Sequence, residues 1–286
     1  MLTDNRNRKL TINAGGKLID LSRPQVMGIL NVTPDSFYDN SRCPDASTVA
    51  QRVEQLVTEG ADMIDIGGYS SRPGCDDVSP DEEKRRLAIG FEAIHRICPD
   101  MIVSVDTFRA EVARWSVEEC GAHIINDISG GEMDDNMYDT VARLQVPYVM
   151  MHMRGTPNTM MQEQYLQYED VTADVLQYFA AKIDRLTLMG INDIILDPGF
   201  GFSKTIDDNY RLMRHVDEFT RLGLPLLVGI SRKSMIYKLL GTTPTESLNG
   251  TTALNVLALM GGANILRVHD VRQAVEAVKI VTATIP

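Results

Sequence analysis

The sequence predicts an α/β protein, a (β/α)8 barrel formed by one domain over residues 1–286. Three observations carry that expectation. Eight short Val/Ile/Leu/Met runs follow one another along the chain, segments of helical periodicity fit between them, and no linker, low-complexity tract or composition break interrupts the rhythm. Strands alternating with helices give a parallel sheet. Eight such units in a chain of this length fit a barrel, whose usual size is about 250 residues.

Taken in order, residues 8–20, "RKLTINAGGKLID", read as a short hairpin turning at Gly15-Gly16. The eight runs then fall at residues 26–30, 63–66, 102–105, 124–125, 148–150, 194–196, 226–228 and 265–266. The clearest helix is the second. Ser79 is its N-cap, Pro80 occupies the first helical position, and Glu82 stands three residues after Ser79 as in a capping box. Asp81 and Glu83 suit the positive end of that helix, and Leu87, Phe91 and Ile94 recur at the spacing of its buried face. An open doubly wound sheet is the alternative. It usually carries a glycine fingerprint after its first strand, and the turn here is "NVTPDS", without glycine. The glycine-rich "GFGFSKT" matches neither phosphate-loop pattern.

Composition narrows the function. Lys plus Arg is 28 and Asp plus Glu is 39, a formal charge of −11, and no basic run marks a nucleic-acid surface. No stretch approaches the roughly 20 apolar residues of a membrane helix. "MLTDNRNRKL" lacks the apolar region of a signal peptide, and Cys43, Cys75, Cys98 and Cys120 are scattered; both features predict a cytoplasmic protein with free thiols. The five histidines show no zinc-ligand spacing. Any anionic substrate must be held by a few placed cations, and Arg72, Lys233 and Arg267 are the candidates.

The polar residues at the ends of the runs carry the functional signal. They are Asn31, Asp65, Asp106, Asn126, Met151-His152, Asp197, Ser231-Arg232-Lys233 and Arg267. In a barrel these positions form the mouth, where the chemistry sits. Each has a structural alternative taken singly: Asp106 or Asn126 as helix caps, Asp197-Pro198-Gly199 as a turn, Asp65 held by its glycine neighbours. Capping gives no reason for Lys233 and Arg267. Acceptors at Asp106, Asn126 and Asp197 match the donor edge of a 2-amino-4-oxo-pyrimidine, as in pterins and guanine. Lys233 can donate to such a ring, and the planar Arg267 can stack on it while reaching phosphate.

"GILNVTPDSF", "DIGGYSSRPG", "SVDT", "INDISGG", "MHMRGTP", "ILDPGFGF", "GISRKS" and "RVHDV", in that order, closely resemble dihydropteroate synthases, members of the pterin-binding barrels. The resemblance implies a homodimer that joins 6-hydroxymethyl-7,8-dihydropterin diphosphate to 4-aminobenzoate, assisted by Mg²⁺. It assigns the pterin to Asp106, Asn126, Met150, Asp197, Phe202, Lys233 and Arg267. Phe37, Ser71, Pro73, Lys233 and Ser234 would take 4-aminobenzoate. Asn31, Arg72, Arg267 and His269 would take the diphosphate, with Asn31 at the metal. Asp35, Arg72, Lys233, Arg267 and His269 would serve the reaction. Two positions depart from the common "GGESTRPG" pattern: Tyr69 stands for glutamate and Ser71 for threonine. Three other readings share parts of this pattern. They are a corrinoid methyltransferase of the same barrel class, an aldolase using Lys233 as a Schiff base, and a pterin-binding module without activity, suggested by Tyr69.

Overall fold

The computed structural model describes residues 10–33, 46–70 and 78–284. Its first element is the expected hairpin, β1 (Thr11–Ala14) and β2 (Lys17–Asp20), paired antiparallel from Thr11↔Asp20 to Ala14↔Lys17. Gly15 and Gly16 both have positive φ, +61° and +80°. Two left-handed residues in succession make the tight turn whose twist matches the flanking strands.

All eight runs become parallel strands: β3 (Gln25–Asn31), β4 (Met63–Gly67), β5 (Ile102–Asp106), β6 (Ile124–Asp127), β7 (Tyr148–Met151), β8 (Ile194–Asp197), β9 (Leu227–Val228) and β10 (Ile265–Val268). They pair in the order β8-β7-β6-β5-β4-β3-β10-β9. A parallel bridge between Leu196 and Leu226 joins the two ends of that order, so the sheet closes on itself. Helices α1 (Ala46–Thr58), α2 (Pro80–Ile97), α3 (Ala110–Glu118), α4 (Met137–Leu144), α5 (Val171–Leu188), α6 (Ile206–Arg214), α7 (Ser234–Leu240), α8 (Leu248–Met260) and α9 (Val271–Thr284) return the chain between strands or close it. This is the (β/α)8 barrel.

Strand alternation divides the core in two. Outward residues such as Val26, Ile64, Val103, Ile125, Met150 and Leu266 pack against the helices, with Leu87, Phe91 and Ile94 of α2 among their partners. Inward residues Met27, Met63, Ile102, Ile124, Val149, Ile195, Leu227 and Ile265 form a layer at the N-terminal end of the barrel. Leu10, Ile12, Ala14 and Leu21, from the hairpin and its flanks, seal that layer from below.

The start of α2 shows how local chemistry sets an element. Ser79 Oγ accepts from Glu82 N at 3.2 Å and Pro80 opens the helix, as expected. The capping box is only half made. The Glu82 carboxylate turns along the helix to Arg85 and Arg86, each at 2.7 Å, and these charge-assisted bonds outcompete a single return bond to the cap. Glu83 is fully buried and pairs with Arg109.

Candidate active site

Two residues above the apolar layer, the same strands present a polar one: Asp65 on β4, Asn126 on β6, Asp197 on β8 and Arg267 on β10. Asp106 ends β5 one pleat higher. These side chains share hydrogen bonds across the mouth. Arg267 Nε donates to Asp65 Oδ2 at 2.6 Å, and Arg267 Nη2 donates to Asp106 Oδ2 at 2.6 Å. Asn126 Nδ2 donates to Asp65 Oδ2 at 3.0 Å. Asp65 Oδ1 is buried with no hydrogen-bond partner among the described residues. Asp197 Oδ1 accepts from Gly199 N at 2.8 Å.

Arg267 is therefore more deeply engaged than its expected stacking role suggests. Its N–H edge spans Asp65 and Asp106. A guanidinium bonds in its plane and can stack on its face. Gly229 lines the wall between it and Asp197: a Cβ there would lie 3.7 Å from Arg267 Cβ and 4.0 Å from Asp197 Oδ2.

Charge crowding shifts these groups. Burial pushes the Asp106 carboxyl up to about 7, opposed by Arg267 and reinforced by Asp65, Glu83 and Asp127. Burial also raises Asp197, against the pull of Lys233. Lys233 is lowered to about 8 by burial, with Asp197 opposing. Its Nζ donates to the Phe200 carbonyl and lies 4.5 Å from the centre of the Phe202 ring. Ser234 follows it as the first residue of α7. Asp106, Asn126, Asp197, Phe202, Lys233, Ser234 and Arg267 thus all occupy the C-terminal end of the barrel.

Met150 does not line the mouth. It is fully buried in the outer layer between strand and helices. Met151, one residue on, points the opposite way and packs with Phe108, Ile128, Met153 and Phe202. The apolar wall beside the polar ring is therefore Met151 and Phe202.

At the ends of β3 and β10 lies a polar cavity of about 420 Å³, lined by Asn31, Arg52, Arg232, His269 and Asp270 among others. His269 Nδ1 is 3.0 Å from Ser231 Oγ, and Arg52 Nη2 donates to the His269 carbonyl at 2.6 Å. Burial and the cations Arg267, Arg232 and Arg52 push His269 down to about 3, so it is neutral at physiological pH. A neutral imidazole can donate a hydrogen bond to an anion but adds no charge. Arg232, in a left-handed conformation at φ 57°, forks onto Asp270 at 3.0 and 2.5 Å and ties the β9 loop to the β10 loop.

Asp35, Phe37, Ser71, Arg72 and Pro73 lie outside the described residues. Tyr69 is described. Its ring packs edge-on against Phe108 with centroids 5.0 Å apart, and Arg109 lies 5.3 Å from its centre. It packs against the apolar cluster of Phe108, Ile128, Met151 and Met153.

Fold and site define a (β/α)8 barrel with carboxylates, an amide and two cations gathered at its mouth. The family model described as "Pterin binding enzyme" matches residues 27–269, and the chain belongs to that family. Within it, the chain falls among the dihydropteroate synthases. It is 44% identical to the dihydropteroate synthase of Escherichia coli K12 over 274 residues, covering 95% of each chain. It is 42% identical to that of Synechocystis, covering 91% of this chain and 90% of the relative. The structure of the Yersinia pestis enzyme in a sulfonamide drug complex superposes with a TM-score of 0.89 at 43% identity, covering 96% of this chain and 98% of that one.

Proposed function

We infer that the chain condenses 6-hydroxymethyl-7,8-dihydropterin diphosphate with 4-aminobenzoate, giving 7,8-dihydropteroate and diphosphate. The observation that carries the residue-level reading is the convergence of Asp106, Asn126 and Asp197 with Lys233 and Arg267 at one end of one barrel. The carboxylates and Asn126 accept from the amino and ring N–H groups of the pterin. Lys233 donates to its carbonyl edge. Met151 and Phe202 flank the ring, and the face of Arg267 stacks on it.

The C–O bond to diphosphate breaks with its electron pair leaving on the diphosphate. The cation left on the exocyclic carbon is delocalised into the dihydropterin. The amine of 4-aminobenzoate then supplies the pair for the new C–N bond and loses a proton. No enzyme nucleophile is required. The protein contributes orientation and fixed charge, and in many enzymes these two effects supply most of the rate enhancement. Arg267, neutral His269, Asn31 and Arg72 receive the diphosphate. Asp35 serves the reaction, and Phe37, Ser71, Pro73, Lys233 and Ser234 take the 4-aminobenzoate, where a sulfonamide would compete.

Asn31 would hold Mg²⁺ together with oxygens of the diphosphate. Among the described residues no three His, Cys, Asp or Glu side chains converge to hold a metal. Asn31 offers one amide oxygen beside the polar cavity, and Mg²⁺ characteristically takes few protein ligands and keeps its waters. When bound it would neutralise charge on the leaving group.

The chain is further proposed to act as a homodimer in the cytoplasm. Leu239 and Leu240 on α7 and Leu257 and Met260 on α8 are 61, 55, 54 and 40% exposed. Apolar side chains on two neighbouring helices suit burial against a second copy. Among the described residues no helix is long and apolar enough to cross a membrane, and Cys98 and Cys120 are free thiols. Turnover of the pterin diphosphate with 4-aminobenzoate tests the activity. Light scattering of the wild type against Leu257→Glu tests the dimer.

A further inference from the structure

Lys204 takes no part in the reaction above, yet it is only 2% exposed. An ammonium has three donors and no acceptor, and burying one is costly unless each finds a partner. Its Nζ lies 3.0 Å from the carbonyls of Gly199 and Phe202, 3.1 Å from His152 Nδ1 and 3.4 Å from the His152 carbonyl. Burial and Lys233 lower its pKa to about 7, while Asp197 opposes. Burial and Lys204 hold His152 well below its ordinary value, and beside an ammonium, which has only donors, Nδ1 is the acceptor.

These partners belong to two loops. His152 follows β7, directly after Met151. Residues 199–203 follow β8, directly after Asp197 and Pro198. The second loop is unusually contorted. Gly199, Gly201 and Ser203 have φ of +71°, +79° and +45°. A Cβ at Gly199 would fall 2.0 Å from the His152 carbonyl, and one at Gly201 would fall 2.8 Å from Lys233 Cδ. Both glycines are thus needed for close approach. Ser203 takes a conformation uncommon for a side chain, and its Oγ accepts from Arg154 N at 2.9 Å. The result is a loop whose carbonyls meet two lysines: Gly199 and Phe202 on Lys204, Phe200 on Lys233.

We propose that Lys204 is a positioning residue for the pterin site, clamping residues 199–203 to the end of β7 so that the Phe200 carbonyl and the Phe202 ring seat Lys233 beside Asp197. This rests on the pterin reading of the barrel mouth and extends it to a residue that touches no substrate. A lysine that merely filled a loop core would affect stability alone. A clamp controls where Lys233 sits, and misplacement on the order of 1 Å can cost roughly a hundredfold.

The test compares wild type, Lys204→Met and Lys204→Ala by calorimetry with 6-hydroxymethylpterin and by steady-state kinetics. Wild type that binds no pterin would overturn the functional reading and this inference with it. With wild type binding, Lys204→Met is expected to lose about tenfold to a hundredfold in pterin affinity, with a smaller change in KM for 4-aminobenzoate. In Lys204→Ala, n-propylammonium should restore part of the affinity and 1-propanol should not. Lys204→Met with pterin affinity within about twofold of wild type would overturn the proposal, whatever its melting temperature. Should the variants fail to fold, nitrogen-15 spectra of wild-type lysine side chains decide. The solvent-protected Lys204 ammonium should shift on pterin binding, and an unchanged resonance would refute the clamp.

Discussion

The two ends of the barrel are built from the same strands and do opposite work. At the base, β4, β6, β8 and β10 contribute Met63, Ile124, Ile195 and Ile265, sealed by the N-terminal hairpin. One full pleat further, about 6.6 Å along each strand, the same four contribute Asp65, Asn126, Asp197 and Arg267. Burial at the base removes apolar surface from water and favours the fold. Burial at the mouth desolvates charges, which costs stability and raises the carboxyl pKa values of Asp106 and Asp197. The mouth is held in this state because the strands below it cannot move without breaking the apolar layer.

Substitutions should separate the two ends. Ile195→Ala at the base, and Met150→Ala in the outer layer, should each cost about 2–5 kcal/mol of stability and leave the pterin affinity of the folded protein unchanged, as read by denaturant melts and calorimetry. Asp197→Asn should change affinity. It puts a donor against donors and should weaken pterin binding by about a hundredfold, an effect on affinity in the folded protein that calorimetry reads separately from any change in stability. Unchanged affinity would remove Asp197 from the site. Met151→Ala should lose about tenfold in pterin affinity, a fraction of the worth of a buried side chain. If Met150→Ala lost it instead, the inward and outward assignments of β7 would be wrong.

The smallest effect is in pH. The Asp106 carboxyl is raised to about 7 from an ordinary value of 3.8. Between those values the folded protein holds a proton that the unfolded chain has lost. This carboxyl's contribution to stability is therefore fully present below the unfolded value and is lost as pH rises through about 7. Pterin binding needs the carboxylate as an acceptor, so affinity should fall below pH 7 by up to about tenfold per unit. Calorimetry from pH 8 to 6 in buffers of different ionisation enthalpy should show proton release on binding. Affinity that rose on acidification would contradict the assignment.

Much of this is legible in the sequence because local rules and the global fold agree. The eight runs, the Gly15-Gly16 turn and the Ser79-Pro80 helix start each follow from a few neighbouring residues. The polar strand ends are legible as a set for the same reason. Three features are not. "YVMM" gives two adjacent methionines and little to set the alternation, and the family resemblance assigns Met150 where the structure turns Met151 inward. Asp65 reads locally as held by its glycine neighbours, although Met63-Ile64-Asp65 has the same inward phase as Ile124-Ile125-Asn126. Its partner Arg267 lies at the far end of the chain, and pairing at that distance leaves no trace in local spacing. Lys204 sits in a glycine-rich stretch that matches no phosphate loop. Its meaning lies in carbonyls turned inward by Gly199 and Ser203, a property of φ angles that residue types only hint at.

The most direct test titrates the wild-type protein with 6-hydroxymethylpterin and with its analogue lacking the 2-amino group. If buried acceptors read the donor edge of the ring, the analogue leaves them unpaired and should bind at least about a hundredfold more weakly. Equal affinities would mean that the ring of Asp106, Asn126 and Asp197 is not what holds the substrate.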